Sequence, residues 1–406
     1  MKTVEIFKFL LYLPIIFGFF SCEKEELPLK GRRTVLAYLA ADNSLFSFSE
    51  KDINEMMEGV MELEDEADRL IVYVDNNFRY EGQPQLFRLK KGKKGTVVKE
   101  VIRTYETQNS MSVEVMEDVF SCAFGNFPAA SYGLVLWSHG DGWAPSDNQK
   151  LSLSRSFGQD DSGSTQMDIS DLHEVLRDYH FDFVLFDACF MQSVEVVYEL
   201  RDCSDYFIGS PTEIPGPGAP YQILVKSMFN DKNTVAVDVA ETYYDYYADR
   251  YKDGINNSNE NWTGGVSVSV VKSDGLEQLA TATKHIFSSY LNEQTPIDVS
   301  AIMCYGRSPK QPSLYYYDID GFIDTLTKHN ADYAIWQAAY QKAVPYYETT
   351  KRNYSAHGGM FSMEGSQGLS IYIPNKNLTS INSFYSSYAW YTAAGWDETG
   401  LFNTVR

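Results

Sequence analysis

Two short apolar runs in this chain end on residues that can do covalent chemistry. Phe181 to Met191 reads Phe-Asp-Phe-Val-Leu-Phe-Asp-Ala-Cys-Phe-Met, and Tyr132 to Trp137 is followed by Ser138-His139-Gly140-Asp141-Gly142-Trp143, so His139 precedes Cys189 by 50 residues. A thiol attacks as thiolate, and an adjacent imidazole can hold the sulfur in that form and later protonate a leaving amine. Glycines beside the histidine leave backbone N–H groups available to a developing oxyanion. This chemistry requires both residues at the same end of neighbouring strands. Unbroken apolar runs fit buried strands of a parallel sheet, whose carboxyl ends open into a crevice.

The remaining elements are consistent with an α/β sheet that delivers the pair. Thr34 to Ala41 and Arg69 to Val74 read as buried strands, and Leu45, Ile53, Met56, Met57 and Val60 as the inward face of a helix after an Asp42-Asn43-Ser44 turn. Leu86 to Ile102 reads as a hairpin turning at the solvated Lys90–Gly95. Helices are predicted over Ser112–Phe124, Met167–Tyr179 and 192–202. Ala144 to Gln166, rich in Ser, Gly, Asp and Gln, reads as a long exposed loop between the two reactive strands, of a length that is usually functional or disordered. Ser210 to Pro220 holds too much Pro and Gly for helix or central strand and is read as a shaped loop at the strand ends, a position that forms pocket walls. Tyr243, Tyr247 and Tyr251 recur at helical spacing and are expected to pack on the sheet. His173, His180, His285 and His329 have no reactive partner in sequence. His357, before Gly358-Gly359, follows no apolar strand and so rivals His139 only weakly.

The chain has 406 residues, 44% of them apolar, enough for a full core, and a formal charge of −21. Without residues 1 to 21, which carry Lys2, Lys8 and Glu5, the charge becomes −22. That balance argues against nucleic acid and anionic membrane as partners. Five cysteines, at 22, 122, 189, 203 and 304, form no regular framework, so buried free thiols are expected at 122 and 304. No metal-ligand spacing stands out, and no cofactor is expected.

The chain resembles the clostripain family of cysteine peptidases. The resemblance rests on Thr34-Val-Leu-Ala-Tyr-Leu-Ala-Ala-Asp42-Asn43, Leu136-Trp-Ser-His139-Gly140, Asp160-Asp161-Ser-Gly, Asp187-Ala-Cys189-Phe-Met191, Pro215-Gly-Pro-Gly218 and Gly368-Leu-Ser-Ile-Tyr-Ile-Pro374. It spans most of residues 34 to 374. The caspase spacing of histidine and cysteine is also present, without the Gln-Ala-Cys-Arg-Gly residues. The resemblance implies a caspase-like three-layer α/β/α sandwich with a mostly parallel sheet, here over 34–271; from Lys272 on, helical patterns alternate with short strands, so 272–406 reads as a C-terminal accessory subdomain. It also implies Cys189 as nucleophile, His139 as base and acid, and the N–H groups of Gly140 and Cys189 as oxyanion hole. Relatives cleave after arginine or lysine, a preference attributed to acids on the pocket floor. Asp187 matches one of them, and Pro217 stands where the second is expected, with Glu213 a candidate substitute. Relatives can be cut in the segment matching 144–166, where Lys150 and Arg155 are the basic residues; some need calcium, a dependence this sequence does not reveal.

Residues 1–21 read as a signal peptide ending in Phe19-Phe20-Ser21-Cys22, which resembles a bacterial lipobox, with 22–33 as a tether. The expected protein is a monomeric, lipid-anchored outer-membrane endopeptidase acting on proteins or peptides, with Glu23-Lys24-Glu25-Glu26 resembling a surface-export signal. The alternatives are a catalytically inactive surface-binding lipoprotein that keeps the fold, and a different thiol hydrolase or transferase. Cys22→Ala is expected to shift the protein from the membrane pellet to the soluble fraction; retention in the membrane with the signal cut would refute lipidation.

Overall fold

The computed structural model describes residues 30–76, 82–144, 157–162, 165–255, 261–307 and 315–402. Cys22, Lys150 and Arg155 lie outside them. The strands include β1 (Gly31–Ala41), β2 (Asp68–Asn76), β3 (Gln85–Lys91), β4 (Val97–Thr104), β5 (Ala129–Trp137), β6 (Phe157–Asp160), β7 (Thr165–Met167), β8 (Phe183–Asp187), β9 (Tyr206–Gly209), β10 (Ser267–Lys272), β11 (Tyr317–Asp318) and β12 (Tyr346–Thr349). The helices used below are α1 (Phe46–Val60), α2 (Val113–Asn126), α3 (Ile169–Leu176), α4 (Val194–Glu199), α5 (Tyr221–Ser227) and α6 (Val235–Ala248).

Nine strands form one sheet in the order β12-β10-β9-β8-β5-β1-β2-β3-β4. The central five, β9 through β2, are parallel, and antiparallel pairs extend both edges. Parallel strands covered on both faces must be apolar throughout, and the two faces separate by residue parity. Leu36, Tyr38, Leu134, Leu136, Val184 and Phe186 join the core beneath α2, α3 and α4, whereas Val35, Ala37, Val135, Trp137, Phe183 and Leu185 join the core beneath α1, α5 and α6. The result is the expected α/β/α sandwich. Ser112 caps α2 by accepting from Val115 N at 3.2 Å, as a hydroxyl at that position should.

Residues beyond 272 fill the same core as α2–α4 and return β12 to the edge of the central sheet. A buried ion pair crosses the sheet at its amino end: Arg33 Nη2 donates to Asp182 Oδ2 at 2.7 Å while Nη1 serves the carbonyls of Met228 and Asn230. One prediction needs correction. Within the stretch read as a long exposed loop, β6 and β7 form a hairpin whose Phe157 and Asp160 are fully buried. Asp160 Oδ2 accepts from Ser110 N and Oγ, which is why a polar sequence can be interior here.

Glu195 on α4 joins the two halves of the chain. Its Oε1 accepts from Tyr372 N at 2.9 Å and Tyr385 Oη at 2.8 Å, and Oε2 finds no partner among the described residues. Burial pushes its carboxyl up to about 7 against the pull of these donors. A carboxyl raised above its unfolded value gives its full stability below that value and loses it as pH rises through the folded one. On the order of 3 kcal/mol separates the two limits, at 1.36 kcal/mol per unit. Glu195→Gln is therefore expected to gain stability relative to wild type as pH climbs through about 7, measured by denaturant melts; a pH-independent difference would contradict the assignment.

Candidate active site

Register sets the distance between the two reactive side chains. β5 and β8 pair in parallel with Trp137 opposite Asp187, so His139 and Cys189 are each the second residue past a matched pair at the carboxyl end of the sheet. Beyond the strands the two backbones nearly touch. A Cβ added to Gly140 would lie 2.6 Å from Cys189 O and 2.9 Å from Ala188 Cβ, so only glycine permits this approach. Phe190 follows the cysteine at φ 61°, a strained conformation for an aromatic residue. It is held there by Phe190 N donating to Thr212 O at 3.0 Å and by stacking on Tyr316 with centroids 4.7 Å apart.

The histidine is fixed from its other side. β1 lies next to β5, and its continuation places Ser44 Oγ 2.8 Å from His139 Nε2. The turn carrying Ser44 is itself pinned: Asn43 Nδ2 donates to Ala40 O and Gln159 O at 2.9 Å each, and Asn43 Oδ1 accepts from Leu45 N. Gly158 N donates to His139 O at 2.8 Å. Ser44 escapes a sequence reading because 95 residues separate the partners; the turn signal at Asp42-Asn43-Ser44 is the trace it leaves.

Cys189 is half-buried, and its Sγ accepts from Ile214 N at 3.5 Å. Burial, then the charges of Glu213, Asp141 and Asp187, push the thiol well above its ordinary value, while the Ile214 N–H pulls the other way. Negative neighbours and low solvation thus work against the thiolate that an adjacent imidazole would hold.

Asp187, which has no neutralising partner nearby in sequence, is supplied with donors by the fold. It is 1% exposed, and Oδ2 accepts from Ala219 N at 2.9 Å and Tyr221 Oη at 2.8 Å, while Oδ1 accepts from Tyr243 Oη at 3.1 Å. All three donors are neutral, and burial still raises its pKa. Tyr247 Oη donates to Gly218 O at 2.6 Å, so the tyrosines of α6 both pack and organise the loop beside the acid. Glu213 is turned elsewhere: its Oε1 and Oε2 accept from Ser355 Oγ and Ala356 N. It thereby holds the turn containing the exposed His357.

A carboxylate that no sequence motif marks stands next to Asp187. Asp52 of α1 is 2% exposed, its Oδ2 accepts from Trp137 Nε1 at 2.7 Å, and burial followed by the charge of Asp187 raises its pKa. The signal was its spacing, since Asp52, Met56 and Val60 share one buried stripe of α1. Among the described residues, His173, Asp202 and Cys203 are the group whose donor atoms come within 4.8 Å of one another as metal ligands could. They lie far along β8 from the thiol, at its amino end, where Phe181 N donates to Cys203 O.

The geometry has clear relatives. A sequence model of the Clostripain family matches residues 37–401. Clostripain of Hathewaya histolytica is 26% identical over 218 residues, 46% of this chain; the match spans only 40% of that protein's length. A secreted C11 cysteine protease of Bacteroides thetaiotaomicron, solved with an irreversible peptide inhibitor, is 45% identical and covers 90% of this chain and 100% of its own, with a TM-score of 0.81. An inactive zymogen C11 protease of Parabacteroides distasonis is 34% identical, covering 91% and 99%, with a TM-score of 0.76. With a family match over most of its length and two solved structures of like fold, this chain belongs to the clostripain family of cysteine proteases.

Proposed function

We propose that this chain is a cysteine endopeptidase that hydrolyses peptide bonds after arginine or lysine from the outer surface of a bacterial envelope, anchored by a lipid on Cys22. The observation that carries the reading is the matched register of β5 and β8, which brings His139 and Cys189 to one end of the sheet in a chain of this family.

In this mechanism the ring nitrogen of His139 that Ser44 does not engage takes the thiol proton as Sγ attacks the scissile carbonyl. With the thiol pushed up by burial and nearby acids, proton transfer to His139 accompanies the attack. The Gly140 and Cys189 N–H groups receive the oxyanion. Collapse expels the amine, which takes its proton from the imidazolium and leaves a thioester on Cys189. Water, deprotonated by His139, then releases the acid and restores the thiol. Asp187, buried among neutral donors, supports a cationic side chain before the cleaved bond, since a guanidinium would relieve its desolvation. Maturation by a cut within 144–166 is part of the same reading: the segment lies between the two reactive strands in the sequence, and a nick in a polar connecting segment leaves a core intact.

Digestion of a peptide library by protein lacking residues 1–29 is expected to yield cleavage after Arg and Lys, with Cys189→Ala and His139→Ala each lowering the rate roughly a thousandfold or more. Intact mass of the same samples should show two fragments in wild type and one chain in Cys189→Ala. An apolar or acidic cleavage profile would refute the specificity, and an active uncut chain the need for maturation.

Ser44 acts through the histidine. Ser44→Ala is expected to cost about tenfold in kcat/KM, the worth of one hydrogen bond to an orienting group, and to shift the acid limb of the pH profile. Ser44→Thr should restore both, and an unmoved profile with normal rate would remove Ser44 from the account.

A further inference from the structure

Pro217 brings no charge to the loop beside Asp187, yet a second acid reaches that place from another element. Gly218 has φ +77°, and a Cβ built on it would lie 2.9 Å from Asp187 Oδ2, 3.4 Å from Asp52 Oδ2 and 3.5 Å from Trp137 Nε1. Two carboxylate oxygens from β8 and α1 therefore converge beneath one glycine. A third acid borders them: Glu55 Oε2 accepts from Tyr221 N at 3.1 Å, and burial, with Glu58 and Asp187 adding to it, raises its carboxyl to about 7.

The surroundings hold these acids without balancing their charge. Asp187 faces Ala219 N, Tyr221 and Tyr243, and Asp52 faces Trp137, all neutral donors. Lys51 is the cation that acts on Asp52, and it does so less than burial, Asp187, Glu55 or the Trp137 bond. Charges buried in this way cost several kcal/mol per ion in general unless a counter-charge arrives. A guanidinium or ammonium group is the species that would offset both at once.

An independent feature ties the pair to the nucleophile. The loop that lies over the acids is the one that touches the nucleophile: Ile214 N donates to Cys189 Sγ, and four residues later Gly218 sits over Asp187 and Asp52. The sulfur and the two carboxylates thus border one short loop, Ile214 to Gly218.

We propose that Asp52 is a specificity-determining residue, the second acid of the pocket for the residue preceding the cleaved bond, supplied by α1 instead of by the loop. The inference rests on the reading of the chain as an arginine- or lysine-directed peptidase. Asp52 and Asp187 clasp the cation from opposite sides, and Trp137 holds Asp52 in position through its indole N–H. Gly218 is required above them because any side chain there would both strain the backbone and fill the space between the two oxygens.

The test compares fluorogenic peptides identical except before the cleaved bond, where they carry arginine, lysine or citrulline, which keeps the shape of arginine and removes its charge. The readout is the ratio of kcat/KM for arginine over citrulline, in which changes to the shared chemistry cancel. Asp52→Asn is expected to lower the ratio about tenfold or more, the worth of one charge-assisted contact, as is Asp187→Asn. A ratio within twofold of wild type in Asp52→Asn, alongside a collapse in Asp187→Asn, overturns the role of Asp52 and leaves the arginine or lysine reading standing. A wild type that cleaves the citrulline peptide as well as the arginine peptide overturns that reading and the role of Asp52 with it. Thermal melts check each variant, and Asp52→Ser, smaller and also uncharged, provides the same comparison of ratios if the asparagine variant does not fold.

Discussion

The parallel pairing of β5 with β8 is the constraint on which the rest depends. With Trp137 opposite Asp187, equal extensions of two residues bring an imidazole and a thiol to the same edge. A slip of β8 by one residue would turn every side chain of that strand to the other face, moving Leu185 out of one core and Phe186 out of the other. Full burial on both faces makes that slip prohibitive. The register that positions the catalytic candidates is thus set by packing that has nothing to do with chemistry. Neighbouring strands then serve the same edge: β1 sends Ser44 to the imidazole, and β9 leads into the loop that reaches the sulfur and the buried acids.

Around this edge the protein places acids in its interior. Asp75 is raised to about 8 by burial and by Asp160 and Asp42, and Asp318 to about 7 chiefly by burial. Each such group contributes stability while protonated and loses it as pH rises through its folded value. These positions explain how a chain of formal charge −21 can enclose carboxyls at all: near neutrality several of them are uncharged. The same logic applies at the nucleophile, where burial and nearby acids push the thiol up. The negative surroundings that raise the thiol would favour a cationic substrate, whose arrival would ease ionisation of the acids and of the sulfur together.

The sheet was legible in the sequence because both reactive strands are continuous apolar runs with no helical period, and the candidate pair was legible because each run stops on a reactive residue followed by small ones. What lay hidden has specific causes. Ser44 meets His139, and Asp52 lies beside Asp187, across 95 and 135 residues of chain, and no local pattern announces a contact at that separation. A helical reading of α1 looks for apolar residues and passes over Asp52, although it shares the stripe of Met56 and Val60. Phe157 and Asp160 were hidden in a polar stretch because their burial depends on pairing with β7 and on Ser110, not on composition. Asp187 looked unpartnered because its donors, Tyr221 and Tyr243, come from helices beyond the nucleophile.

The central claim is that Cys189, activated by His139, is the group that attacks. The direct measurement is mass mapping of the protein after brief treatment with an arginyl acyloxymethyl ketone, which alkylates a thiol only when it attacks as an enzyme nucleophile. The account predicts a single adduct on Cys189 in wild type and none in His139→Ala over the same interval. An adduct on Cys122, Cys203 or Cys304, or equal labelling of Cys189 with and without the imidazole, would contradict it.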